Sequence, residues 1–189
     1  MIQKSLQFTH DVLSQFLTNA FNLDENKVVL NTIIDTDGNI PLQNKNKVVV
    51  SLINVERETL KPFYGRNQKL SNGNYAEIRP SERYNLDILI TSNFDDYSET
   101  LKFLNAVILF FQTNTAVDSA SFSSMPGGIN RLEYDIEKIT YHQMHSLWTA
   151  MGAKYQPSVI YKMRLLTLQA GESHSFTTEL KETKNSVSV

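Results

Sequence analysis

The 189-residue chain has no cysteine, only seven glycines and five prolines, and no apolar run long enough to span a membrane. The missing cysteines exclude a disulfide framework and any thiolate metal centre, and they fit a cytoplasmic or redox-indifferent life. The glycines stand apart, at 38, 65, 73, 127, 128, 152 and 171. Neither phosphate-cradling fingerprint forms, because both need clustered glycines to let backbone amides approach the anion. No Gly-x-Ser-x-Gly turn occurs, and the serine-rich SASFSSMPGG of residues 119–128 reads as a loop. The strongest apolar stretch, residues 101–111, contains Lys102 and Asn105 and falls short of the ~20 residues of a membrane helix. The opening MIQKSLQFTHDVLSQFL carries polar residues through the segment that a secretion leader keeps apolar.

Charge of one sign is also scarce, with a formal net of −2. The charge is nevertheless uneven along the chain. Residues 41–70 hold six Lys and Arg against two Glu, and residues 141–169 hold three against none. A near-neutral protein with two basic stretches argues against general binding of nucleic acid and permits charge-complementary docking to protein.

What is present is a periodic alternation of helices and strands. Leu6, Leu13, Phe16, Leu17, Ala20 and Phe21 recur at helical spacing and predict an amphipathic helix over residues 3–21. His10 falls on that face and reads as a hydrogen-bonded, half-buried residue. Residues 27–34 form a short β-branched strand ending in the turn DTDGN. Residues 47–55 are apolar at nearly every position, which predicts a strand covered on both faces and central in a sheet. Residues 61–80 are rich in Pro, Gly and Asn and read as a long loop or irregular hairpin. Residues 83–94 alternate as a strand.

The pair Asp95 and Asp96 resembles a catalytic dyad, but Asp96 with Glu99 three residues on fits an N-terminal capping box, where the dipole favours anions. The helix that follows carries Tyr97, Leu101, Leu104, Ile108 and Phe111 as a core stripe, widened by Phe103, Val107 and Phe110. Residues 131–139 alternate, with Leu132, Tyr134 and Ile136 inward, and predict an edge strand wet on one face. Thr140 caps a short helix with Met144, Leu147, Trp148 and Met151 on one side, and residues 159–168 form the last strand. Residues 169–189 read as a flexible tail whose Thr, Ser and Val would let it add to a neighbour's sheet edge. The expectation is one α+β domain over residues 1–168, a mixed or antiparallel sheet packed by three α-helices, followed by that tail.

Chemistry is hard to find in this pattern. His142 and His145 have a spacing that could serve a metal, but no third ligand stands at motif distance. KPFYGRNQK, residues 61–69, sets aromatics among cations as a base-stacking surface would, with little charge around it. No cofactor, metal or catalytic residue is assigned, and no enzyme is expected.

Three stretches together carry a resemblance: VVLNTIIDTDGNIPLQNKNKVVVSLINVERE, YNLDILITSNFDDYSETLKFLNAVILFFQ and LWTAMGAKYQPSVIYKMRLLTL. Within them stand Asn93-Phe94 before Tyr97, Phe110-Phe111-Gln112, and Leu147-Trp148 followed by Gly152, Tyr155, Pro157 and Tyr161. In this order they resemble the N-terminal domain of tail-terminator, or cap, proteins of phage-tail-like contractile injection systems. That resemblance implies a phage tail-terminator-like fold and a structural protein assembling as a homo-oligomeric, six-fold ring. The ring would end the inner tube, anchor the last layer of sheath protein and share the cap with a longer paralogue, with no membrane contact. Such a chain would assemble in the cytoplasm and stay with a particle that is released or membrane-anchored. Candidate assembly contacts are Phe63, Tyr64 and Arg66 in the long loop and the outward Lys162 and Arg164 of the last strand. A sheath-joining or tube adaptor, and a small nucleic-acid-binding module, stay open as alternatives.

Overall fold

A computed structural model describes residues 1–58, 67–69, 75–77, 84–167 and 176–177. Helix α1 (Ile2–Phe21) buries Leu6, Leu13 and Leu17 at the predicted spacing, while Ala20 is exposed. It ends at Asn22, whose left-handed φ of 49° turns the chain and returns its N–H to Thr18 O. Strand β1 (Val28–Leu30) is shorter than predicted. The chain leaves it through Asn31, whose side chain meets that of Asn44 at 2.9 Å. The DTDGN turn closes as read, with Asp35 Oδ1 accepting from the backbone N–H of Asp37 and Asn39 and Gly38 at φ +78°.

Strand β2 (Lys47–Arg57) runs parallel to β1 and antiparallel to β5 (Tyr84–Asn93). Helix α2 (Tyr97–Thr113) leads to β6 (Ala116–Asp118) and β7 (Ile129–Ile136), and helix α3 (Tyr141–Ala150) leads to β8 (Ser158–Thr167). These strands form one mixed sheet in the order β1-β2-β5-β8-β7-β6. Two short strands between β2 and β5, β3 (Asn67–Lys69) and β4 (Tyr75–Glu77), pair as the irregular hairpin predicted. With β9 (Phe176–Thr177), from the expected tail, they make a second, antiparallel sheet in the order β3-β4-β9.

Both faces of the main sheet carry a core, which explains the near-continuous apolar runs in β2 and β5. One face gathers Val48, Val50, Leu86, Ile88, Ile90, Tyr161 and Met163 beneath α1 and α2. The other gathers Val49, Leu89 and Ile160 with Ile33 and Trp148 of α3. Thr9 and His10, neighbours in α1, reach strands at opposite sides of the sheet. Thr9 Oγ1 lies 2.8 Å from the Tyr134 hydroxyl in β7, and His10 Nε2 lies 3.2 Å from Val28 O in β1. The sheet therefore curls until one helix spans its two margins.

Three expectations change. The buried stripe of α2 is Thr100, Phe103, Ala106, Val107, Phe110 and Phe111, whereas Tyr97 and Leu101 are exposed. Two apolar stripes compete on this helix, and packing against Phe16 and Phe21 of α1 selects the one that carries Phe103 and Phe110. β7 is not the edge strand, because β6 pairs outside it through Glu133, Leu132 and Arg131. Ile136 lies beyond that pairing and is exposed rather than inward.

Candidate assembly surface

Helix α3 covers only one half of the second sheet face. Along the other half, Asn54, Asp87, Lys162 and Asp135 stand at paired positions across β2, β5, β8 and β7. One step on come Glu56, Asn85, Arg164 and Glu133. A register shift between Leu52 and Asn54 in β2 is what brings Asn54 and Glu56 onto this face.

Lys162 is the hub of the surface. Its Nζ lies 3.1 Å from Glu56 Oε2, 3.1 Å from Glu137 Oε1 and 4.0 Å from Asp87 Oδ1, with the side chain 23% exposed. One cation thus ties three separate segments, and the carboxylates hold its ammonium above the usual lysine range. The hydrogen bond from Lys162 to Glu56 is the largest cause and that to Glu137 the next. Asp87 Oδ2 accepts from Asn54 Nδ2 at 3.0 Å, while its buried Oδ1 has no hydrogen-bond partner. Arg164 Nη2 lies 3.1 Å from Asp135 Oδ2, and Arg131 Nε lies 2.9 Å from Glu133 Oε1.

Lys162 and Arg164 therefore point outward as the alternation predicts, but each is engaged by carboxylates of its own face. The three cations of this surface meet five carboxylates: Glu56, Asp87, Glu133, Asp135 and Glu137. Sequence reading placed the outward residues of β7 correctly but did not align them with Lys162, because pairing register is not visible in one strand at a time. Phe63, Tyr64 and Arg66 lie outside the described residues.

The other polar candidates resolve locally. His10 is half-buried and bonded, with Nδ1 2.8 Å from Asp11 Oδ1. Asp96 caps α2 by accepting from Ser98 N at 2.9 Å rather than from Glu99 N, so the cap forms as a single bond and not as the expected capping box, and Asp95 meets Lys45 and Asn46. Thr140 and Gln143 form a full capping box on α3, and His142 and His145 are exposed there. Among the described residues no group of three or more His, Cys, Asp or Glu is placed to hold a metal ion, and no helix is long and apolar enough to cross a membrane.

A family model described as the Pvc16 N-terminal domain matches residues 9–179, nearly the whole chain. The chain belongs to that family. The match starts inside α1 and runs past residue 168 to include β9. No curated protein sequence matches this Pvc16 N-terminal domain. Solved structures share its fold, two of them from contractile injection systems. One is the sheath/tube terminator, in the extended state, of the extracellular contractile injection system PVC, at 12% identity and a TM-score of 0.55. The other is the tube-terminating cap of the anti-feeding prophage, at 13% identity and a TM-score of 0.56. Each alignment covers 95% of this chain and 63% or 60% of the longer one. The likeness fixes the α+β fold, a single unit of three helices on a mixed, curled sheet.

Proposed function

We propose that this chain is a structural cap of a contractile injection system, ending the inner tube and anchoring the last sheath layer. The observation that carries the reading is the shared fold over 95% of the chain with a sheath/tube terminator and a tube-terminating cap, together with the family match. Six copies form a closed ring whose contacts draw on the long loop, with Phe63, Tyr64 and Arg66, and on the β8 surface with Lys162 and Arg164. Head-to-tail contacts that close produce such cyclic rings. The partners are further copies of the chain, the tube protein and the sheath protein, with room for a second cap paralogue beside them. The role is assembly, not catalysis, and needs no cofactor, membrane or nucleic acid. The chain joins the particle in the cytoplasm and stays with it, whether the particle is released or membrane-anchored.

The test is electron microscopy of particles from a producing strain lacking this gene. Overlong, uncapped or unsheathed tubes are the expected outcome. Particles of normal length with complete sheaths would overturn the reading, and normal tubes with detached sheaths would reassign the chain to sheath joining alone.

A further inference from the structure

The charged half-face of the sheet holds more anions than its own cations neutralise. Its five carboxylates share Lys162, Arg164 and Arg131, and Asp118 of β6 stands opposite Arg131 at the outer margin. Arg164 and Arg131 each hold one carboxylate, at 3.1 and 2.9 Å, so Lys162 is left to serve Glu56, Asp87 and Glu137. Lys162 also lies low, with 23% of its side chain exposed, whereas Glu56 and Asp135 on either side of it are 46% and 55% exposed. An approaching molecule meets those carboxylates before it meets the ammonium. A surface with this excess selects a partner of positive charge.

The chain itself supplies such a partner. Residues 59–83, which join β2 to β5, hold five Lys and Arg against two Glu. Within them β3 and β4 pair with each other, Asn67 opposite Glu77 and Lys69 opposite Tyr75, in a sheet separate from the main one. That pairing is nested inside the antiparallel pairing of β2 with β5, whose last pair is Arg57 with Tyr84. The segment is thus an arm rooted at the end of two central strands. Glu77 stands seven residues before Tyr84, a reach of up to ~25 Å at ~3.6 Å per residue, long enough to lay β3 and β4 against a neighbour. The root also borders the half-face, since the next pair inward is Glu56 with Asn85. To cover the half-face of its own copy the arm would have to reverse direction at that root. Docking on another copy needs no reversal.

We propose that the basic arm of one copy, residues 59–83, docks on the carboxylate-rich half-face of the next copy. Opposite charge decides which surface meets which. The two surfaces differ, so the contact is heterologous and propagates around a ring instead of ending at a dimer. The cations of the contact come from the arm, while Lys162 and Arg164 hold the receiving carboxylates in place. The inference deepens the cap reading and rests on it for the ring that the contact closes.

The chain has no cysteine, so introduced thiols are the only ones present. The experiment compares Lys69→Cys, Asp135→Cys and the double variant, each checked for folding by thermal melting and treated with a flexible bismaleimide. Both particles from a producing strain and the purified full chain are used. The double variant is expected to yield a ladder of covalent multimers of this chain and each single variant none. Adding Arg66→Glu and Arg79→Glu is expected to abolish the ladder, and adding Arg66→Lys and Arg79→Lys to retain it. A ladder that survives the Glu changes would overturn the charge pairing. A double variant that closes only within one copy would place the arm on its own face and overturn the inference. So would dimers from a single variant, which mark a symmetric contact, or no multimers in either setting. The cap reading is scored separately by the gene-deletion tube lengths. Overlong deletion tubes without multimers would keep the cap and remove the arm contact, and multimers of the purified chain alongside normal deletion particles would do the reverse.

Discussion

Lys162 carries more of the fold than any other charged side chain described. Its contacts reach Glu56, Asp87 and Glu137 from three segments, so reversal sets a sixth carboxylate among five. Lys162→Glu is expected to lower unfolding free energy by roughly 2 kcal/mol, with Lys162→Met costing less because it adds no like charge. Urea titration of the two variants checks the order. Equal midpoints for Lys162→Glu and wild type, with assembly lost, would instead assign the residue to docking alone. Sequence alternation sufficed to point this side chain outward. It did not reveal the neighbours that neutralise it, because those depend on pairings of β8 with β5 and β7 and on the bulge in β2. The same limit let Lys162 and Arg164 read as free docking cations.

At the scale of elements, capping was legible and facing was not. Asp96 and Thr140 both stand where the sequence puts a helix start, since a short acceptor side chain before an apolar run satisfies orphan N–H groups. Asp96→Ala is expected to cost about 1 kcal/mol, read as a lower melting temperature with unchanged far-ultraviolet circular dichroism of the folded state. A shift indistinguishable from zero would mean that packing by Phe103 and Phe110 already fixes the start of α2. Which flank of that helix faces the core was not decidable from spacing, because both flanks are apolar. The rings of α1 and of the sheet, Phe94, Tyr134 and Tyr161, choose between them. The edge assignment failed for a related reason: β6 has only three residues, too few for a periodic signal.

The whole molecule has a pH limit on its alkaline side. Burial raises the Tyr134 hydroxyl far above its ordinary value and pushes Tyr161 up to about 12. A phenol whose folded pKa is raised favours the neutral form in the native state. Its stabilisation is complete below the unfolded value near 10 and is lost as pH rises towards 12. The raised Lys162 ammonium adds to the same loss by the same sign. Urea midpoints are thus expected to hold steady through neutral pH and fall from about pH 10 upward, with a shallower fall in Tyr161→Phe. A flat profile to pH 12 would contradict the burial of both rings.

Helix α1 also sets the order in which the protein can complete itself. It is made before the strands it joins, and Thr9 finds Tyr134 125 residues later and Met163 154 residues later. Contacts at such separation form late and slow the search for the native state. Until β7 and β8 have been synthesised, the apolar side of α1 has its partners in β1 and α2 but lacks those in the last two long strands, and exposed apolar surface is what makes incomplete chains aggregate. The hydroxyl of Thr9 is therefore among the last groups to be satisfied as the chain folds, although it belongs to the earliest of these elements.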